Sequence, residues 1–170
     1  MCRCANYKMQ HLHIRTSAYL HIFTMKILMI CLGNICRSPL AEGIMQHLAN
    51  KQGLNWTVDS AGTGNWHVGD CPDHRSIKVA HGYGVDISKQ VCRQFKVSDF
   101  DEFDLLLAMD RNNLSDVLRL ARNNDDRAKV RLLLNDQEVP DPYYDANQFE
   151  PVYKLIENGC REIIKEYTPK

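Results

Sequence analysis

Hydrophobic residues along this chain alternate between short unbroken runs and stretches where they recur every three or four positions. Lys26-Ile27-Leu28-Met29-Ile30 is one such run, the mark of a strand buried on both faces. Leu40, Ile44, Met45 and Leu48 follow at helical spacing. Ser38-Pro39 reads as the N-cap and first helical residue, and Gly53 as the stop. Trp56-Thr57-Val58-Asp59-Ser60 predicts a second strand, and Ala61-Gly62-Thr63-Gly64 a flexible loop. A helix is expected from Pro72 to Gly82. Leu105-Leu106-Leu107-Ala108-Met109 predicts a third buried strand, with Asp110 read as the cap of the following helix and nothing more. Val130-Arg131-Leu132-Leu133-Leu134 predicts a fourth strand, and Phe149, Val152, Leu155, Ile156 and Ile163 trace a last helix. Strands alternating with helices predict an α/β domain with a parallel sheet covered on both faces. In such sheets ligands bind beyond the carboxyl ends of the strands, where the segment after Ile30 lies.

That segment, Cys31-Leu32-Gly33-Asn34-Ile35-Cys36-Arg37-Ser38, carries the most specific chemistry in the chain. Between a buried strand and a helix start, its backbone N–H groups can converge on one anion, and the helix N-terminus adds partial positive charge. Gly33 is free to take positive φ, and Asn34 tolerates it. Arg37 can grip two phosphoryl oxygens with its planar fork. The same surroundings favour the thiolate form of Cys31, which is the nucleophilic form. Ser38 can donate a hydrogen bond to that sulfur. Expelling a phenolate at neutral pH calls for a positioned acid. Asp141, in Pro140-Asp141-Pro142-Tyr143-Tyr144, is the candidate, because the flanking prolines stiffen the loop presenting it.

Composition narrows the setting. The 170 residues suit one domain, and 44% hydrophobic with 25% charged residues is ordinary for a globular protein. Lys and Arg together number 21, as do Asp and Glu, so nothing points to nucleic acid or an anionic membrane surface. No apolar run approaches the roughly 20 residues that span a bilayer. The 7 cysteines are odd in number and scattered, unlike a secreted disulfide scaffold, which predicts reduced thiols in a cytoplasmic protein. Cys71, Cys92 and Cys160 read as inert. Cys2 and Cys4 have no second pair at zinc-site spacing, and His47, His67, His74 and His81 show no metal-ligand spacing. Residues 1–24 hold Arg3, Lys8 and Arg15 but no acid, and His21 breaks the apolar stretch a secretory signal needs. An organellar transit peptide is the lesser alternative. The expectation is a disordered extension upstream of a natural start at Met25, leaving residues 25–170 as the catalytic domain.

The C-x-G-N-x-C-R-S-P loop, the Asp59-Ser60-Ala61-Gly62 segment and the late Asp141-Pro142-Tyr143-Tyr144 together resemble the low-molecular-weight protein tyrosine phosphatases, over Met25 to Lys170. The resemblance implies a three-layer α/β/α fold around a four-stranded parallel sheet, flavodoxin-like and of the phosphotyrosine phosphatase I type, with no metal or organic cofactor. It implies Cys31 as nucleophile forming a phosphocysteine, Arg37 as phosphate clamp, and Asp141 as general acid and then base. Leu32, Gly33, Asn34, Ile35, Cys36 and Ser38 would complete the phosphate site, with Asn34, Ser38 and Ser60 holding the loop in shape. Trp66, in an exposed Gly-rich loop, would wall the pocket opposite Tyr143 and Tyr144. Cys36 is either a buried thiol or, as the resemblance favours, a redox partner that forms a reversible disulfide with Cys31. Many relatives carry histidine where this chain has Gln90, in Ser88-Lys89-Gln90-Val91-Cys92-Arg93-Gln94; Gln90 is expected to support the loop without the histidine's pH dependence. The implied partners are a phosphotyrosine-containing protein and a cognate tyrosine kinase. A monomer is expected, with a weak dimer as the variant.

Three rival functions share the loop. Arsenate reductases of this fold relay oxidation through two closely spaced cysteines, which Cys71 and Cys92 do not resemble. Protein-arginine phosphatases carry a threonine where Ile35 stands. A non-catalytic phospho-binding or redox-sensing module has no need to retain Cys31, Arg37 and Asp141 together.

Overall fold

The computed structural model describes residues 24–168. The expectations for the N-terminal extension and for the Cys2–Cys4 pair lie outside the described residues, apart from Thr24. Four parallel strands form one sheet in the order β2-β1-β3-β4: β1 (Met25–Cys31), β2 (Trp56–Gly62), β3 (Leu105–Ala108) and β4 (Val130–Leu132). The helices are α1 (Arg37–Lys51), α2 (His74–Gly82), α3 (Asp99–Glu102), α4 (Arg111–Leu120), α5 (Asn124–Ala128) and α6 (Phe149–Tyr167). No helix among the described residues is long and apolar enough to cross a membrane.

The unbroken apolar run of β1 follows from its central place. Successive side chains of a strand point to opposite faces. Ile27, Met29 and Cys31 therefore enter one core, with Leu40, Ile44, Met45 and Leu48 of α1 and Val152, Ile156 and Ile163 of α6. Leu28 and Ile30 enter the other, with Phe100 of α3, Leu106 of β3 and Val117 of α4. Both faces are covered, which is the expected three-layer arrangement. Burying one such aliphatic side chain contributes about 1.5–3 kcal/mol, so the run fixes β1 firmly.

Three local expectations are corrected. Ser38 is not the N-cap of α1: the helix opens at Arg37 behind Cys36, which makes no side-chain cap bond. Pro39 still fits, because the first four helical N–H groups have no partner in the helix and one is no loss. The second strand runs two residues further than expected, through Ala61 and Gly62, as Gly62 pairs with Cys31. The fourth strand ends at Leu132, short of the expected Leu134; the Leu133 N–H makes the last ladder bond, to the Ala108 carbonyl at 3.0 Å. Two short helices, α3 and α5, and a 3-10 turn at Ala146–Gln148 were not legible, being too short to show a period.

The strand order puts β1 and β3, whose following loops leave in different directions, side by side at the centre. All four carboxyl ends share one edge of the sheet. Cys31, Gly62, Met109 and the chain after β4 meet there: the Met109 N–H donates to the Ile30 carbonyl at 2.9 Å and Val139 N–H to the Met109 carbonyl at 2.8 Å.

Candidate active site

The loop from Cys31 to Ser38 folds around its own sulfur. Asn34 N–H donates to Cys31 Sγ at 3.2 Å, and Ser38 Oγ lies 3.0 Å from the same atom. Asn34 Nδ2 donates to Ser38 Oγ at 2.9 Å, so the Ser38 proton is shared between the sulfur at 3.0 Å and the more distant Ala61 carbonyl at 3.5 Å. Of the two positions open to positive φ, Asn34 takes it, at 55°, the only non-glycine with positive φ among the described residues. Asparagine accepts that conformation more readily than most side chains. A Cβ at Gly33 would sit 3.3 Å from the His67 ring, a tight contact that the half-exposed imidazole would have to yield to.

The asparagine side chain is the hub beneath the loop. Nδ2 also donates to Ser60 Oγ at 2.9 Å, Oδ1 accepts from the Arg93 N–H at 2.8 Å, and the main-chain carbonyl accepts from Cys92 Sγ at 2.7 Å. The Ser60 hydroxyl donates to Glu42 Oε2 at 2.6 Å. Arg93 bridges Asp59 and Asp99 at 2.8 and 3.1 Å, fixing the segment that supports Asn34. The Glu42 carboxyl is pushed up to about 7, chiefly by burial and in part by Asp59, against the hydrogen bond from Ser60 and the charge of Arg93.

Gln90 does not reach Asn34. Its Nε2 donates to the Pro39 carbonyl at 3.2 Å, while its Oε1 is buried with no partner among the described residues. Its amide neighbours the Glu42 side chain, so it lies against α1, one step removed from the hub. Cys92 fits the inert thiol expected, since burial pushes it up to about 11, but it also props the Asn34 carbonyl, and the raised value keeps the donor proton in place. Cys71, far away in sequence, is brought beside it, as Cys92 N–H donates to the Asp70 carbonyl at 2.9 Å. Cys160, buried in the main core, stays inert as expected.

Arg37 is 4% exposed and pinned on three sides. Nη1 donates to Asp110 Oδ2 at 2.6 Å and to the Val139 carbonyl at 3.3 Å, and Nη2 to Asp141 Oδ2 at 2.9 Å. Burial alone would lower its pKa. Negative charge at Cys31, Asp141 and Asp110 outweighs that, and the guanidinium is held above its ordinary value. Asp110 thus does more than cap: its other oxygen accepts from Asn113 N–H at 2.7 Å to start α4, while Oδ2 orients the arginine.

Above this floor lies a cavity of about 280 Å³, lined by Cys31, Leu32, Gly33, Ile35, Cys36, Arg37, Trp66, His67, Asp141, Tyr143 and Tyr144. Trp66 is 70% and Tyr144 92% exposed, so both form the rim and not the core. The two tyrosine rings pack edge to face, 5.0 Å apart. Cys36 shares the cavity with Cys31, and both are free thiols. Burial, then the negative charge of Asp73, pushes the Cys36 thiol up to about 12. Asn34, Ser38 and Ser60 sit beneath the floor. His67, Asp110, Glu42, Cys92 and Arg93 were missed. Only Glu42 had a local signal, lying one helical turn beyond Ser38 on the same face of α1.

Comparison with known proteins accords with this geometry. The family model for low molecular weight phosphotyrosine protein phosphatase matches residues 26–170. The low molecular weight protein-tyrosine-phosphatase YfkJ of Bacillus subtilis is 39% identical over 145 residues, covering 81% of this chain and 92% of its own. The Homo sapiens low molecular weight phosphotyrosine protein phosphatase is 38% identical, covering 84% and 96%. Among solved structures, a protein tyrosine phosphatase of Entamoeba histolytica with Hepes in its active site superposes with a TM-score of 0.79 at 34% identity, over 84% of this chain and 96% of its own. Vibrio vulnificus Wzb in complex with benzylphosphonate gives 0.76 at 30% identity, over 84% and 98%. With a sulfur cradled by its own loop and relatives matched along nearly their whole length, the chain belongs to the low molecular weight phosphotyrosine protein phosphatase family, and it is a cysteine-dependent protein tyrosine phosphatase.

Proposed function

We propose that Cys31 is the nucleophile, Arg37 the phosphoryl clamp and Asp141 the general acid and base. The observation carrying this reading is the convergence of an N–H and a hydroxyl on Cys31 Sγ, with Asp141 facing the same cavity. The Cys31 thiolate attacks phosphorus, the aryl P–O bond breaks, and the departing phenolate takes its proton from Asp141. Water then attacks the phosphocysteine, Asp141 takes the proton back, and the S–P bond breaks to release inorganic phosphate and the thiolate. Arg37, steered by Asp110, supplies two parallel donors to the equatorial oxygens where charge gathers. Leu32, Ile35, Trp66, Tyr143 and Tyr144 offer flat apolar walls to a phenyl ring; benzylphosphonate, the molecule bound to Vibrio vulnificus Wzb, has that shape.

We further infer that a phosphotyrosine-bearing protein is the substrate, with a cognate tyrosine kinase upstream, acted on by a cytoplasmic monomer. Cys36 is the reserve thiol: once peroxide converts Cys31 to a sulfenic acid, Cys36 condenses with it and water leaves. Two variants test the reading together. Cys31→Ser is expected to abolish turnover while still binding phosphate. Asp141→Asn is expected to cost about 10²–10⁴ on phenyl phosphate and much less on esters of acidic phenols. Retained activity in the first, or an equal loss across the phenols in the second, would remove the assigned role.

A further inference from the structure

The segment that presents Asp141 has little structure of its own. Pro140 and Pro142 have no N–H to donate, and the Asp145 and Tyr143 N–H groups are satisfied within the segment, by the Pro142 carbonyl at 3.1 Å and by Asp141 Oδ1 at 3.1 Å. Among the described residues, two hydrogen bonds tie 140–144 to other elements. One is Arg37 to Asp141. The other is Arg75 Nη1 to the Tyr143 carbonyl, at 3.0 Å. Arg37 must also serve the phosphoryl oxygens, so the first tie is shared with substrate. The second is not.

Arg75 is built to act as a fixed strut. Asp73, the N-cap of α2, accepts from the Arg75 N–H at 2.8 Å, from Nε at 2.9 Å and from Nη2 at 2.7 Å. That bidentate grip sets the plane of the guanidinium and leaves Nη1 aimed at Tyr143. The cation also lies 4.5 Å from the ring centre of buried Phe149, at the start of α6, and 5.5 Å from that of Tyr143. The far end of the strut is anchored in the phosphate loop: Asp73 N–H donates to the Ile35 carbonyl at 2.8 Å. Ile35, Asp73, Arg75 and Tyr143 thus make one continuous bridge from loop to acid segment, independent of Arg37.

We propose that Arg75 is a positioning residue for the general acid, holding the Asp141 segment at working distance from Cys31 while Arg37 grips the phosphoryl group. Small displacements of a proton donor cost rate steeply. The loss falls on the step that needs the proton, and so on poor leaving groups. This rests on the assignment of Asp141 above, and the experiment separates the two.

Wild type, Arg75→Ala, Arg75→Lys, Asp141→Asn and the Arg75→Ala/Asp141→Asn double variant are assayed for kcat on a series of aryl phosphates, from phenyl to dinitrophenyl. Inhibition by inorganic phosphate reports the loop. Arg75→Ala is expected to lose about tenfold or more on phenyl phosphate, with little change on the dinitrophenyl ester or in phosphate inhibition. Lysine keeps the charge but not the planar two-point grip on Asp73 that aims a third donor at Tyr143, so Arg75→Lys shows the same leaving-group bias, reduced, in a protein more certain to fold. In the Asp141→Asn background, Arg75→Ala is expected to add nothing. A uniform loss across the series, or a double variant in which the two losses multiply, would overturn the positioning role while leaving Asp141 as the acid. An Asp141→Asn protein without leaving-group bias would overturn the acid assignment and this inference with it.

Discussion

Glu42→Gln should make the protein more stable at alkaline pH. The wild-type carboxyl lies beneath the phosphate loop, 2.6 Å from the Ser60 hydroxyl, facing Asp59. Arg93 is the cation that opposes it, and Arg93 is already divided between Asp59 and Asp99. Burial therefore lifts the group from 4.5 to about 7. The folded state holds the proton more tightly than the unfolded one. The stabilisation is complete below about pH 4.5 and is lost as pH rises through about 7. At about 1.4 kcal/mol per unit, the loss between pH 5 and pH 8 is about 2–3 kcal/mol. Glutamine still accepts from Ser60 and removes the titration. Urea unfolding of both proteins at pH 5, 6, 7 and 8 is the assay, since the remaining titrating groups are common to both and cancel in the difference. The stability of Glu42→Gln relative to wild type should climb by about that amount across the window. Parallel stability curves would refute the reasoning.

Two substitutions test the loop's backbone. A Cβ at Gly62 would stand 2.8 Å from the Leu32 carbonyl oxygen and 3.2 Å from Asn34 N, both main-chain atoms that cannot step aside singly. Gly62→Ala is expected to cost about 1–3 kcal/mol in thermal or urea unfolding, and to weaken phosphate inhibition by distorting the anion cradle. Asn34→Ala orphans the Arg93 N–H, takes one donor each from Ser38 and Ser60, and strains a φ of 55°. The expected loss is about 3 kcal/mol or more. Asn34→Gly removes the strain but does not restore the bonds, so unfolding measurements should return only about 1 kcal/mol of it.

What could be read in advance divides by sequence distance. β1, α1 and the loop between them were legible because Ile27 to Ser38 declare themselves through contiguous pattern and residue type. Ser38 was misplaced as a cap because Ser-Pro is a common helix start. Its hydroxyl is instead taken by Cys31 and Asn34, a tertiary demand no local rule contains. Asp110 looked like a cap and is one. Its bond to Arg37 exists only because β3 lies beside β1, and strand order is not written in either segment. The resemblance put Gln90 at the hub, yet its bond to the Pro39 carbonyl keeps it on α1. Arg75 and Arg93 carried no signal in the sequence, since the segments they tie together meet only in three dimensions.

The order of the strands also sets an order of assembly. Around Cys31 the hydrogen bonds close over separations of 3, 4, 7 and 26 residues, all within a single β1-α1-β2 unit. Arg37 and Asp141 are 104 residues apart. Loop-closure entropy grows with separation, and distant pairings are the late ones in a folding chain. The ring of bonds on the sulfur is thus a local object, whereas the supports of Asn34 and Arg37 from Arg93 and Asp110, and the proton donor itself, belong to the finished fold. The sulfur's own cradle is expected to close before the arginine clamp and the acid are fixed.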